Sequence, residues 1–150
     1  MHAADRLVEA EGAYRTALEL APGRVATHAA LSLTLLAQKR GDDAVAEASR
    51  EPNEEFRLWS QAIVHHALGH EPESQAAVRA LIDKHPSAWA LQIAEVYAMR
   101  GEPGSAFEWL ERAYAQRDGG LSEMSVSPRF RPLHGDPRWG AFMKKMGFEG

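Results

Sequence analysis

Residues 93–113 read IAEVYAMRGEPGSAFEWLERA, which is the most informative segment for the fold. Its apolar residues recur at three- and four-residue steps on both sides of a Gly-Glu-Pro-Gly turn, which indicates two helices. Seven positions of this stretch follow an order of side-chain types: large, small, aromatic, the turn glycine, small, large and small. These positions are Ile93, Ala94, Tyr97, Gly101, Ala106, Leu110 and Ala113. The small residues would let two antiparallel helices approach closely, and the large ones would fill the space between them. The stretch therefore predicts a tightly packed helix pair.

Glycine or proline separates helical segments along the whole chain in the same way. We predict helices over about 4–21, 24–40, 42–50, 54–68, 72–84, 88–100 and 103–117, and an eighth that begins at Pro137. No segment alternates with a period of two for long enough to be a strand. The predicted fold class is therefore all-α.

The predicted helix ends carry residues suited to satisfy unpaired backbone groups. Short polar side chains precede or open several helices: Asp42 or Asp43, Asn53, Ser87 and Asp136. Glycines follow the last turn of three helices: Gly41, Gly69 and Gly101. Polar residues before a helix and glycine after it are the signals expected of real helix ends.

The glycines at these helix ends repeat at a spacing typical of helix-pair solenoids. Gly41 precedes Gly69 by 28 residues, and Gly69 precedes Gly101 by 32. A looser copy of the 93–113 pattern comes before it: Leu58, Ala62, His65, Gly69, Ser74, Val78, Leu81 and Pro86. The first helix matches only the second half of a unit: Ala10, Tyr14, Ala17 and Pro22.

This order of residues carries a family resemblance. Residues 87–118 resemble a tetratricopeptide repeat (TPR), 55–86 a degenerate one, and 5–54 a half repeat followed by an irregular, shortened repeat. The tail is similar to the end of the C-terminal TPR arrays of bacterial regulators, in segments 127–133, 136–139 and 146–148. The resemblance implies a right-handed solenoid of antiparallel helix pairs, forming one domain over 1–150, with a tail and capping helix in 119–150.

The predicted eighth helix carries an apolar stripe: Trp139, Phe142, Met143 and Met146. A stripe of this size is unfavourable in contact with water. We therefore expect this helix to cover the open end of the stack, as the terminal element of a solenoid must.

Composition narrows the class of protein. The chain has 150 residues, 45% hydrophobic and 25% charged, which is ordinary for a globular domain. A net charge of −4 argues against nucleic acid as a partner. No segment predicts a signal peptide or membrane insertion, and the chain has no cysteine, which fits a reducing compartment. We expect a cytoplasmic protein.

Catalytic and metal-binding patterns are weak. His66 and His70 are four residues apart, close to two glutamates, but a zinc site needs a third ligand, and Gly69 interrupts the shared helix face. The chain lacks a HExxH motif, a GxSxG nucleophile turn and a phosphate-binding glycine loop. We expect no enzyme activity, no metal and no cofactor, with a small metal-dependent enzyme as the least favoured alternative.

The remaining candidate site lies on the first helices of the pairs, which line the concave side in TPR-like proteins. One face of these helices is not needed for pairing with their own partner helix. Its members would form an apolar groove for a peptide or helix of a partner protein: His28, Leu31, Leu35, Gln38, Phe56, Trp59, Ile63, His66, Leu91, Glu95 and Met99. The alternative is that these residues pack between neighbouring first helices.

Two further functions remain open at the level of sequence. The chain resembles a regulatory or oligomerisation module of a larger bacterial sensor or transcription regulator. The first helix resembles the second helix of a repeat, and its face with Leu7 and Tyr14 would lack its usual partner helix. An upstream helix or a second copy of the chain could cover that face, and the second copy would form a homo-oligomer through the first helix.

Overall fold

Every regular element in the computed structural model is helical within the residues it describes, 3–85, 88–116 and 128–147. These residues contain no strand. The elements are α1 (Ala3–Leu20), α2 (Thr27–Ala37), α3 (Gly41–Arg50), α4 (Glu54–Ala67), α5 (Glu71–Lys84), α6 (Ala90–Met99), α7 (Pro103–Ala115), a 3₁₀ helix (Pro128–Leu133) and α8 (Pro137–Lys145). The all-α prediction is confirmed. The 3₁₀ helix was not predicted.

The chain divides into two compact units, Met1–Leu81 and Ile82–Gly150, with the division inside α5. In the first unit α2 is the central helix, because it contacts α1, α3 and α4. A completely buried cluster fills the space between these helices: Leu31, Leu35, Ala44 and Val64. The predicted repeat boundaries stay predictions.

The second unit is built around α6, which packs on α7 and on the 3₁₀ helix. Small buried residues from both helices allow the close approach that the sequence predicts: Ala94, Ala98, Ala106 and Ala113. Ile93 and Leu110 are also completely buried. Phe130 and Leu133 of the 3₁₀ helix are buried as well, so this short element contributes to the core.

Several predicted helix ends are confirmed by their local geometry. The Asn53 side chain accepts a hydrogen bond from the Phe56 backbone N–H at 2.9 Å, and Asp136 accepts one from the Arg138 N–H at 2.9 Å. Gly69 and Gly101 follow α4 and α6 with φ of 81° and 74°. These left-handed conformations favour glycine because it has no Cβ.

The end of α2 and the start of α3 differ from the prediction. Lys39, with φ of 63°, turns the chain after α2, whereas Gly41 is the first residue of α3. A Cβ on Gly41 would lie 2.6 Å from Leu68 Cδ2, so the glycine permits close packing of α3 beside the end of α4. Asp42 and Asp43 lie in the first turn of α3 and are not its cap, so their predicted role was wrong. There they face the positive end of the helix dipole. Ser87 lies outside the described residues.

The start of α2 depends on a residue that is distant in sequence. The helix begins at Thr27, after Ala26 in a left-handed conformation (φ 74°), and Ala26 has no side chain that could cap it. Glu51, which follows α3, provides the missing acceptor. Its carboxylate accepts hydrogen bonds from the backbone N–H groups of Ala26 and Ala29, both at 3.1 Å.

The same carboxylate also fixes the connection to α4. It accepts a third hydrogen bond, from the Asn53 N–H at 3.0 Å, and the Arg57 guanidinium donates to the Glu51 backbone carbonyl at 2.9 Å. Glu51 is only 1% exposed, so these backbone donors satisfy a buried anion. One side chain therefore joins the start of α2, the end of α3 and the start of α4.

Replacing Glu51 by alanine should destabilise the protein by about 2 kcal/mol or more, because buried N–H groups lose a charged acceptor. Urea-induced unfolding followed by circular dichroism measures the change. Glu9→Ala, an exposed glutamate on α1, is the matched control and should stay within about 0.5 kcal/mol of the wild type. Equal losses in the two variants would contradict this role of Glu51.

Ala94→Leu should destabilise the second unit by about 1–3 kcal/mol, because Ala94 is completely buried and the added carbons have no space. Ala115→Leu places the same side chain at an exposed position of α7 and should change stability little. Thermal unfolding compares the two. An unchanged melting curve for Ala94→Leu would show that this residue is not in a tight interface.

Candidate functional site

The part of the predicted groove on α2 is divided between core and surface. Leu31 and Leu35 are completely buried in the cluster with Ala44 and Val64, and not exposed as the groove prediction required. An apolar side chain on α2 gains more free energy by packing against α3 and α4 than by facing water. For these two leucines the packing alternative therefore describes the structure.

The polar rim residues of α2 are only partly buried and are held by charged neighbours. His28 Nδ1 lies 2.7 Å from Glu47 Oε2, and the other oxygen of Glu47 accepts from Arg50 at 2.6 Å. Gln38 accepts a hydrogen bond from Arg40 through its side-chain oxygen at 2.9 Å. Both side chains are thus oriented before any ligand arrives.

The predicted groove residues on α4 differ in how deeply they are buried. Trp59 is 8% exposed and Ile63 is buried, whereas Phe56 is half-buried. The Phe56 ring stands edge-on to Trp59, with centroids 6.3 Å apart and planes at 81°, which is a favourable aromatic geometry. The Asn53 cap fixes the first turn of α4 and so positions Phe56. Phe56 is therefore the accessible aromatic residue of this stripe.

Because α4 ends at Ala67 and Gly69 turns the chain, His66 and His70 do not share a helix face, as the sequence predicted. His66, at the end of the stripe, has its Nδ1 2.6 Å from a carboxylate oxygen of Glu71, and His70 lies against His65. Burial, and then the neighbouring His70, hold the pKa of His65 below its ordinary value, and Glu73 opposes this shift. His66 and His70 therefore do not share one site.

The predicted groove residues of α6 belong to the second unit. Leu91 and Glu95 are buried, whereas Met99 is 36% exposed at the last position of the helix. Leu91 lies among the core residues, so packing rather than binding accounts for it. Of the predicted α6 residues, Met99 is the one with substantial accessible surface.

A cleft between α7 and α8 was not predicted as a site. It has a volume of about 410 Å³ and is lined by Gly104, Phe107, Glu108, Glu111, Arg138, Ala141, Phe142 and Lys145. The Arg138 guanidinium lies 4.9 Å from the centre of the Phe107 ring, and Lys145 pairs with Glu111. The apolar stripe of α8 is the sequence feature that could have pointed to this cleft. It led us to expect that Phe142 packs against the rest of the protein, and not that it lines a cleft.

The α8 stripe itself is confirmed in part. Phe142 and Met143 are buried, whereas Trp139 and Met146 are only partly buried. Phe142 meets Tyr114 of α7 edge-to-face, with ring centroids 6.2 Å apart. The tail residues Ser127 and Phe148 lie outside the described residues.

Within the described part of the chain, no group of three or more His, Asp or Glu side chains converges as a metal site would require. No described helix is both long enough and apolar enough to cross a bilayer. Comparisons of the sequence and the structure with protein-family models, curated proteins and solved structures find no match.

The start of α8 gives a pH prediction. The Arg138 side chain, and then its backbone N–H, lower the pKa of Asp136 from its ordinary 3.8 to about 2. A lowered pKa means that the carboxylate supports the folded state above about 3.8, and that this support is lost as the pH falls toward 2. NMR titration of the Asp136 carboxyl should give a midpoint near 2.

Arg138→Ala should raise the pKa of Asp136 toward 3.8, because the guanidinium that stabilises the carboxylate is removed. Arg131→Ala, an exposed arginine of the 3₁₀ helix, is the control and should leave the midpoint unchanged. A midpoint near 3.8 in the wild type would contradict the Asp136–Arg138 pairing.

Proposed function

We propose that this chain is a protein-interaction module of TPR-like helix pairs, which binds a peptide or helix of a partner protein. The supporting observation is the half-buried Phe56 on α4, whose ring packs in a T-shaped arrangement with the buried Trp59. An aromatic residue held by such packing and still partly exposed can serve as a binding anchor. In a stack of helix pairs, the first helix of one pair packs on its own partner helix and on the first helix of the following pair. The contacts of α2 with α3 and with α4 agree with that arrangement.

The binding face proposed in the first unit is smaller and more polar than an open apolar groove. It consists of the accessible members of the predicted set on α2 and α4: His28, Gln38, Phe56 and His66. From Phe56 to His66 the helix rises about 15 Å. That length matches roughly four or five residues of an extended peptide, or two to three turns of a helix. A short segment with one apolar residue, placed against Phe56, is therefore the proposed ligand.

The polar side chains of this face are oriented by their own neighbours. Glu47 holds His28, Glu71 holds His66, and Arg40 holds Gln38, so their conformations are set without a ligand. Pre-oriented groups lose less conformational entropy on binding. A partner that has polar groups as well as its apolar residue fits these side chains.

Selection of random displayed peptides on the purified protein tests the proposal. Enriched peptides should bind Phe56→Ala at least about tenfold more weakly, because a truncated anchor typically costs about 2 kcal/mol or more. Glu19→Ala is the control, since Glu19 is exposed on α1 in the same unit, and should bind like the wild type. Circular dichroism must show both variants folded.

Two results would contradict the proposal. Peptides that bind wild type and Phe56→Ala equally well would place binding elsewhere. The absence of any enriched peptide would argue against a peptide-binding function of this face.

A regulatory or oligomerisation module of a larger protein is the second candidate. The observation that favours it is a set of exposed apolar residues on α1 and in the loop after it: Val8, Leu20 and Val25. Contact with another chain would remove the apolar surface of these residues from water. Sedimentation over a range of concentrations separates this function from that of a monomeric binding module.

A further inference from the structure

Two histidine rings meet where α4 ends and α5 begins. His65 Nδ1 and His70 Nδ1 are 3.1 Å apart, with the ring centroids 5.4 Å apart. Gly69, with φ of 81°, turns the chain back after the helix, and the His70 backbone N–H donates to the His65 carbonyl at 2.8 Å. The turn therefore brings the two rings together with their Nδ1 atoms facing each other.

A hydrogen bond between two imidazoles needs one donor and one acceptor. A neutral imidazole has one N–H and one nitrogen with a free lone pair, whereas an imidazolium has two N–H donors and no acceptor. When at most one ring of the pair is charged, the Nδ1–H of one ring can donate to the Nδ1 of the other at the observed distance. When both rings are charged, both Nδ1 atoms are donors and the two positive charges repel each other. The contact therefore requires that one ring is neutral.

The two rings differ in their surroundings. His70 is exposed, whereas His65 is only partly exposed and lines a cavity of about 330 Å³ with residues of α4 and α5, Glu73 among them. Burial, and then the neighbouring His70, lower the pKa of His65, and the Glu73 carboxylate acts in the opposite direction. A proton that enters the His65 ring is therefore opposed by its environment and by the charge of His70.

The charged and titratable groups near the pair come from α4 and α5. His66 Nδ1 lies 2.6 Å from a carboxylate oxygen of Glu71, so these two side chains are engaged with each other. Glu73 is the carboxylate that acts on His65. The end of α4 meets α3 through Gly41, which is uncharged. Glu73 is therefore the group that attracts the His65 ring once this ring is charged.

We propose that His65 and His70 form a proton-sensitive contact between the end of α4 and the start of α5, which separates when both rings are protonated. In neutral solution the rings share one hydrogen bond and hold the side chains of the turn together. In acid the second proton breaks this bond, and the charged His65 ring turns toward the Glu73 carboxylate.

The change is confined to the side chains of the turn. Two hydrogen bonds that do not titrate keep its backbone in place: the one from the His70 N–H to the His65 carbonyl, and one of 2.7 Å from Ser74 Oγ to the Ala62 carbonyl. The protein therefore stays folded while the pair separates. This response to pH is separate from the peptide-binding proposal and does not depend on it.

NMR titration of the whole chain, observing the histidine ring nitrogens, tests the contact. In mildly alkaline solution one of the two rings should carry its proton on Nδ1 and the other should have an unprotonated Nδ1, because the hydrogen bond requires this combination. On acidification the midpoint of His65 should lie below its ordinary 6.5, because burial and His70 oppose its charge. Two rings that both carry their proton only on Nε2 in alkaline solution would overturn the proposal.

Ring-to-ring proton contacts in the same NMR spectra report the separation directly. They should be present in alkaline solution and lost once both rings are protonated, because two imidazolium rings have no acceptor between them. Contacts that persist between two protonated rings would overturn the proposal.

His70→Asn is the decisive variant, because asparagine places a polar atom near the position of Nδ1 but takes up no proton. The midpoint of His65 should rise in this variant, since the charge of His70 no longer opposes protonation. His134→Asn is the matched control, since it replaces an exposed histidine of the second unit, and should leave the midpoint of His65 unchanged. An unchanged midpoint in His70→Asn would overturn the proposal.

Discussion

The first unit depends on the hydrogen bonds that the buried carboxylate of Glu51 accepts from the backbone. Three backbone N–H groups converge on it, from Ala26, Ala29 and Asn53. Because the carboxylate is buried, each donor that it loses would leave a polar group without water to replace the bond. The start of α2 is therefore fixed relative to the end of α3. Since α2 contacts α1, α3 and α4, its position determines how the rest of the unit packs.

The packing of α2 also decides which residues remain available for binding. Leu31 and Leu35 pack in the buried cluster with Val64, whereas Phe56, beside Trp59, is partly exposed. The same helices thus provide both the core and the face proposed for a partner. Because the larger apolar residues are buried, the accessible residues of the predicted set on these helices are Phe56 and the polar side chains His28, Gln38 and His66.

The histidines near the end of α4 show how one glycine changes the chemistry available. On a continuous helix, residues 66 and 70 would lie on one face, as their spacing suggested. The left-handed conformation of Gly69 ends that periodicity and brings His70 back to His65. Residues 65 and 70 share no helical face by spacing, so their convergence is a product of the turn.

Sequence patterns alone were enough to predict the helical class, most helix bounds to within a few residues, the caps at Asn53 and Asp136, and the glycine ends of α4 and α6. These features depend on groups within about four positions of each other, which is the range of helix and turn hydrogen bonds. The start of α2 and the burial of Leu31 and Leu35 depend instead on contacts between helices, which local sequence patterns do not show. Glu51 reaches donors 22 and 25 residues away, and the leucines are buried by helices that follow α2 in the chain. The periodicity of apolar residues identifies the apolar face of a helix. Whether that face is buried depends on which other helix packs against it.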